Sequence, residues 1–247
     1  MTDEPDADDW SDVAEGWSEL WAGVARPAQH ALLTAAGIGP GSRVLDVGCG
    51  SGEFLALLSE AGAEATGVDP AAGMRALARA RGFDVRRADA AHLPFDDGSF
   101  DVVTAVNALQ FADDTTAALR EFARVLVPGG RVAVANWAEG ARNDIDVVER
   151  AVAEADESDP VPDGPPRPAG GLEAALADAG IHVVASGLAD APWTVPNDDT
   201  LVRGILLGED SAVLDDFRQS VLEAAAPFRT ADGYVLRNAF RWAVGEA

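Results

Sequence analysis

Residues 44–54 read Val-Leu-Asp-Val-Gly-Cys-Gly-Ser-Gly-Glu-Phe. An apolar run over 43–47 has the composition of a buried parallel strand, and glycines follow it at 48, 50 and 52. Residues 53–61 then carry apolar side chains at helical spacing. A strand, a glycine turn and a helix make the loop on which α/β folds seat a nucleotide-like ligand. Glycine is required where the backbone takes angles that a Cβ forbids, and where a ligand comes close to the main chain.

The spacing also restricts the ligand. A dinucleotide fingerprint places its third glycine one position later, where this chain has Glu53. A carboxylate at the helix start has the wrong sign for a phosphate, which is held by amides and positive ends. A Walker loop is excluded because the chain has no lysine, its 18 basic residues all being arginine. The loop therefore suits a ligand with an adenosine portion and no phosphate.

Further motifs follow in order. Val68-Asp69-Pro70 closes a second strand over 64–69, with Met74 a turn into the next helix. Asp89-Ala90-Ala91-His92-Leu93-Pro94-Phe95 follows a third strand over 83–88. Ser99-Phe100-Asp101-Val102-Val103 opens a fourth strand, and Arg124-Val125-Leu126-Val127-Pro128-Gly129-Gly130 precedes a fifth over 131–136. With Asp46-Val-Gly48-Cys-Gly50-Ser-Gly52, this series resembles the class I S-adenosylmethionine-dependent methyltransferases. It is most similar to the small-molecule branch of the ubiquinone/menaquinone-biosynthesis (type 11) enzymes.

The resemblance covers roughly residues 10–136. It implies a Rossmann-like α/β fold with a seven-stranded, mostly parallel sheet, helices on both faces and an antiparallel last strand. It also implies S-adenosylmethionine as cofactor, S-adenosylhomocysteine as product, and methyl transfer to a small, partly apolar acceptor by in-line displacement. Two other readings of the loop are a non-catalytic binder of either nucleoside and, less well matched, a nicotinamide oxidoreductase.

Several residues take roles on this reading. Asp69 is positioned to accept both ribose hydroxyls, or to cap the helix after Pro70. Asp89 and the Ala90 amide match the adenine edge, or form a turn at the strand end. Met74 is placed under the adenine ring or in the core. Asp46 points back under Gly48, Cys49, Gly50 and Gly52 towards the ligand's ammonium, or is held by loop amides. Asn107 and Gln110, after the fourth strand, line the place where the methyl group emerges. Of the three histidines, His92 faces cofactor or solvent, His182 is structural, and His30 is the histidine candidate for a general base, with Asn107 the other catalytic candidate. Trp137, Phe111, Arg142, Trp193 and Phe228 are candidate pocket linings.

The remainder of the chain organises around this core. Residues 1–9 read as a disordered acidic tail, and 10–247 as one domain. Within it, 10–36 is an N-terminal lid helix, 37–136 the cofactor-binding core, and 137–247 the substrate-side helices and last strands. Trp10, Trp17 and Trp21 are costly to expose, so this helix covers something apolar, either by packing on the sheet or as a lid with Trp17 nearest the ligand. Residues 156–171, rich in proline and aspartate, read as a loop or flap. Residues 193–195 continue a sixth strand over 181–187, two helices are inserted over 198–208 and 211–226, and 234–244 supplies the last strand.

A net charge of −24 argues against nucleic-acid substrates and stable docking on anionic membranes. No apolar run has the length of a membrane span. The acidic start is the opposite of a secretory leader. The single cysteine, Cys49, fits a reducing cytoplasm and reads as packing within the loop. A monomer or homodimer is expected.

Overall fold

The computed structural model describes residues 7–159 and 162–247. Helices α1 (Ala7–Asp12), α2 (Ala14–Leu20) and α3 (Arg26–Ala35) open the chain. Alternating units follow: β1 (Arg43–Val47), α4 (Glu53–Glu60), β2 (Glu64–Val68), α5 (Ala72–Ala80), β3 (Val85–Arg86), β4 (Phe100–Val106), α6 (Thr115–Val125) and β5 (Leu126–Trp137). Beyond them lie α7 (Ile145–Ala155), α8 (Gly171–Asp178), β6 (His182–Asp190) and β7 (Trp193–Val195). The chain ends with α9 (Asp198–Ile205), α10 (Ser211–Ala225), β8 (Arg229–Thr230), β9 (Gly233–Leu236) and β10 (Ala239–Glu246).

The main sheet has seven strands in the order β3-β2-β1-β4-β5-β10-β6. All pairings are parallel except those of β10, which runs antiparallel between β5 and β6. Side chains alternate across it. Val44 and Val102 join the core under α3 and α4, while Leu45 and Val103 join the core under α6 and α8. Because β1 lies between β2 and β4, the strand order reverses there. A crevice at the carboxyl edge of the sheet is expected at such a reversal, bounded by the loops after β1 and β4. Helix starts are set locally: the Asp114 carboxylate accepts from the Ala117 amide to cap α6, and Asn197 does the same for α9.

The fold class is as expected, with local corrections. Residues 1–6 of the expected tail lie outside the described residues, and residues 7–9 are helical, opening α1. The lid is three helices rather than one over 10–36. It breaks at Val13 and again over 21–25, before Pro27 near the start of α3. The third strand shrinks to Val85–Arg86, following the left-handed turn at Gly82.

Residues 193–195 do not continue β6. Pro192 intervenes, and β7 instead forms a second, three-stranded sheet in the order β7-β9-β8. The expected last strand over 234–244 divides at Arg237 and Asn238, giving β9 to the small sheet and β10 to the large one. Asn238 fixes that division. Its carbonyl accepts from the Ala191 amide at 2.7 Å, and its side chain accepts from the Ile145 amide at 3.2 Å.

Candidate active site

The glycine loop after β1 is built by backbone geometry. Gly48, Gly50 and Gly52 have φ of 68°, 54° and 92°, all in the left-handed region. A Cβ on Gly48 would lie 2.4 Å from the Ala108 Cβ, so this glycine lets the loop after β4 close against the loop after β1. A Cβ on Gly50 would meet nothing within 4 Å. Gly50 thus faces the open crevice, where a ligand can lie against the bare main chain.

Two carboxylates sit behind this loop. Asp69, at the end of β2, is buried and accepts from the Gly50 amide at 2.9 Å and the Ala71 amide at 2.8 Å. Each oxygen keeps a further lone pair for an incoming hydroxyl. Burial raises the Asp69 pKa, opposed by the two amides and by Arg75. Asp46 is more enclosed, with its Oδ1 accepting from the Thr104 hydroxyl at 2.7 Å. Burial pushes its pKa up to about 7, with Asp69 and Glu53 adding to the rise and Thr104 opposing it. Glu53 itself is partly buried, accepts from the Ser51 hydroxyl at 2.7 Å and pairs with Arg81 at 2.6 Å.

The other expected residues divide. Pro70 is exposed beside Asp69, and Met74 is buried with Ala71 and Ala14 under Trp10 and Trp17. This brings Trp17 and α1 onto the cofactor side of the sheet, where a Cβ on Gly73 would strike the Ser11 carbonyl at 2.3 Å. Cys49 packs against β2, its Sγ 2.7 Å from where a Gly67 Cβ would lie. Burial raises its thiol pKa, as suits a packing role rather than a nucleophile. Asp89 is exposed and accepts from the Ala91 amide and from His92, forming a turn beside the partly buried Ala90.

Asn107 takes a left-handed φ of 54° at the end of β4, and its buried Oδ1 has no partner among the described residues. His30 is exposed on α3, whose buried side chains Ala28, Gln29 and Leu32 face the sheet. It does not line the cavity described next, which corrects its placement as a base.

Beside the crevice lies a cavity of about 520 Å³. Trp10, Trp17, Trp21 and Trp137 line it, with Ile145, Ile205 and Leu207. Among the expected linings only Trp137 is present. Arg142 is exposed and paired with Glu139, and Trp193 is buried behind Trp21, their rings stacked at 4.1 Å. Phe111 touches the edge of Trp10, and Phe228 lies outside the lining. Two indole N–H groups fix the wall: Trp21 donates to the Gly204 carbonyl at 3.1 Å, and Trp193 donates to the Leu20 carbonyl at 3.0 Å.

Sequence reasoning missed the charged part of this wall. Asp146, Glu149 and Arg167 line it, and Arg167 donates to both oxygens of Asp146 at 2.9 Å. The helical spacing of Asp146 and Glu149 was the available signal. It also missed Asn136, which is 1% exposed on β5 with both side-chain amide atoms unpartnered among the described residues.

Residues 45–134 match the family described as Methyltransferase domain, and they lie within the Rossmann-like α/β sheet described above. Over 118 residues the chain is 42% identical to a demethylmenaquinone methyltransferase of Mycolicibacterium paratuberculosis, across 48% of this chain and 51% of that protein. It is 40% identical to the Beutenbergia cavernae enzyme of the same name, across 48% and 50%. The chain spans about half the length of these curated relatives.

A chain from the complex between the Haloferax volcanii Trm112 methyltransferase activator and a methyltransferase shares the fold over the whole length. It aligns with a TM-score of 0.64 at 24% identity, across 100% of this chain and 99% of that one. Residues 45–134 are therefore similar to the methyltransferase domain family, and about half of the chain is similar to demethylmenaquinone methyltransferases.

Proposed function

We propose that the chain transfers a methyl group from S-adenosylmethionine to a small, partly apolar acceptor. The observation that carries this reading is the open face of Gly50, with the buried carboxylates Asp46 and Asp69 behind the loop. When bound, S-adenosylmethionine supplies a methyl group on a positively charged sulphur, already activated for displacement.

The chain's own residues then have the task of alignment and shielding. Asp69 accepts the ribose hydroxyls on its remaining lone pairs, keeping its hold on the Gly50 and Ala71 amides. Asp46 offers negative charge under the loop to the ligand's ammonium. Met74, with Trp17 over it, walls the adenine side, and Asp89 with the Ala90 amide serves the ring's polar edge. Asn107, at the end of β4 beside the glycine loop, has a buried side-chain oxygen with no partner among the described residues.

Holding acceptor and methyl in line can supply about 7–11 kcal/mol of barrier reduction. The tryptophan wall excludes water, which favours a reaction in which charge is neutralised at sulphur. No side chain must form a covalent intermediate.

The net charge of −24 supports a small-molecule acceptor over a nucleic acid. No helix among the described residues is long and apolar enough to cross a membrane. The buried single cysteine supports a reducing, cytoplasmic setting, and a monomer or homodimer remains our reading. Calorimetric titration with S-adenosylhomocysteine and, separately, with NAD tests the proposal. Saturable binding of the first alone is expected, and tight NAD binding without it overturns the reading.

A further inference from the structure

The cavity beside the crevice combines two features that together define a ligand. Its floor is aromatic: Trp10, Trp17, Trp21 and Trp137 present indole surface, and the Trp21 ring is held in place by its bond to Gly204. Its charge is one-sided. Asp12, Glu149 and Glu209 reach it from three different elements of the chain, α1, α7 and the turn after α9. The single cation in the lining, Arg167, is already taken by Asp146 and Asp163.

An anionic or phosphorylated ligand would find no open cation here. A neutral quinol would use the indoles and leave the carboxylates facing apolar surface. An ammonium group satisfies both, since indole faces attract cations and do so more strongly where water is excluded.

Glu149 is the carboxylate most exposed to this choice. It forms no hydrogen bond or ion pair among the described residues. Its side chain is exposed at the cavity rim, and desolvation by the protein packed around it raises its pKa to about 7. Asp146 adds to that rise, and Arg167 and Arg150 oppose it. A cation beside Glu149 would favour its charged form.

We infer that this cavity selects an acceptor with a cationic amine head on a small apolar body, Glu149 and the Trp10 face holding the head. The inference rests on the methyl-transfer reading for the word acceptor, but the recognition can be measured without turnover. A volume of about 520 Å³ lies within the range that suits a single small molecule.

Three probes of one shape decide it: phenethylamine, 2-phenylethanol and 3-phenylpropionate, each titrated against the full chain at pH 7.5. Tryptophan emission and calorimetry report binding. Saturable one-to-one binding of the amine, at least tenfold tighter than the alcohol and with the carboxylate weakest, is expected. Glu149→Gln should weaken the amine about tenfold and leave the alcohol unchanged, and Trp10→Leu should weaken both.

A surface of charge −24 attracts any cation diffusely, but that attraction does not saturate at one site or respond to one residue. Equal affinity for alcohol and amine overturns the inference, as does an amine affinity that neither variant changes. S-adenosylhomocysteine titrated into the same samples separates the two claims. If it binds while the amine does not, cation selection fails and methyl transfer stands. If the amine binds and the nucleoside does not, cation selection stands without it.

Discussion

The crevice after β1 and the cavity beside it share the tryptophan wall, yet they are made of different materials. The crevice is main chain: three glycines in left-handed conformations, with amides held by the Asp69 carboxylate. The cavity is side chain: stacked indoles, an arginine clamp and carboxylates brought together from distant parts of the sequence. Backbone recognition tolerates few substitutions and keeps its spacing. Side-chain recognition can be rewritten one residue at a time. One fold can thereby keep a common cofactor while changing its acceptor.

Substitutions can break this contrast. A large effect is expected from Arg167→Ala, which leaves Asp146 enclosed without its partner and should cost about 3 kcal/mol of stability. Denaturant titration would read this. S-adenosylhomocysteine affinity should survive if the two regions are separately built.

A comparable effect belongs to pH. Asp46 has a folded pKa of about 7 against an ordinary 3.8, so the native state keeps a proton that the unfolded chain releases. Its stabilising contribution is complete below pH 3.8 and declines by about 4 kcal/mol as pH rises towards 7. Asp46→Asn should remove that slope from the stability profile. It should also remove any rise in affinity for the cationic cofactor between pH 6 and 8.

Gly48→Ala comes next, at about 2–3 kcal/mol of stability, since its Cβ meets Ala108 and its φ is positive. Asp69→Asn should lower nucleoside affinity by about 1–2 kcal/mol by calorimetry, because a carboxylate accepting amides and hydroxyls becomes an amide with one acceptor. Gly50→Ala is the sharpest comparison. About 1 kcal/mol of stability is expected to go, from backbone strain alone, while nucleoside binding falls much further. Equal stability losses at positions 48 and 50 would mean that Gly50 does not face the ligand.

The same contrast explains what could be read in the sequence. Glycine spacing, strand-end acids and apolar runs are local signals, so the crevice and the order of the core strands were legible. The cavity was not. Glu149 looks like any acid on the polar face of a helix until α7 is placed beside the tryptophans. Asn136 sits in an apolar strand, and its significance lies only in the partners it lacks. The split between β9 and β10 depends on Asn238 reaching Ile145, 93 positions away, which no periodicity records. His30 was misplaced because helical spacing gives a face but not its direction.

The reciprocal indole bonds tie the start of the chain to its last third: Trp21 to Gly204, and Trp193 back to Leu20. A chain emerging from the ribosome can assemble β1 to β4, and with them the nucleotide groove, long before residue 204 exists. The groove must then stand unroofed until the late segment arrives to clasp the first helices. Closure of the tryptophan wall therefore waits on the segment that carries Trp193 and Gly204.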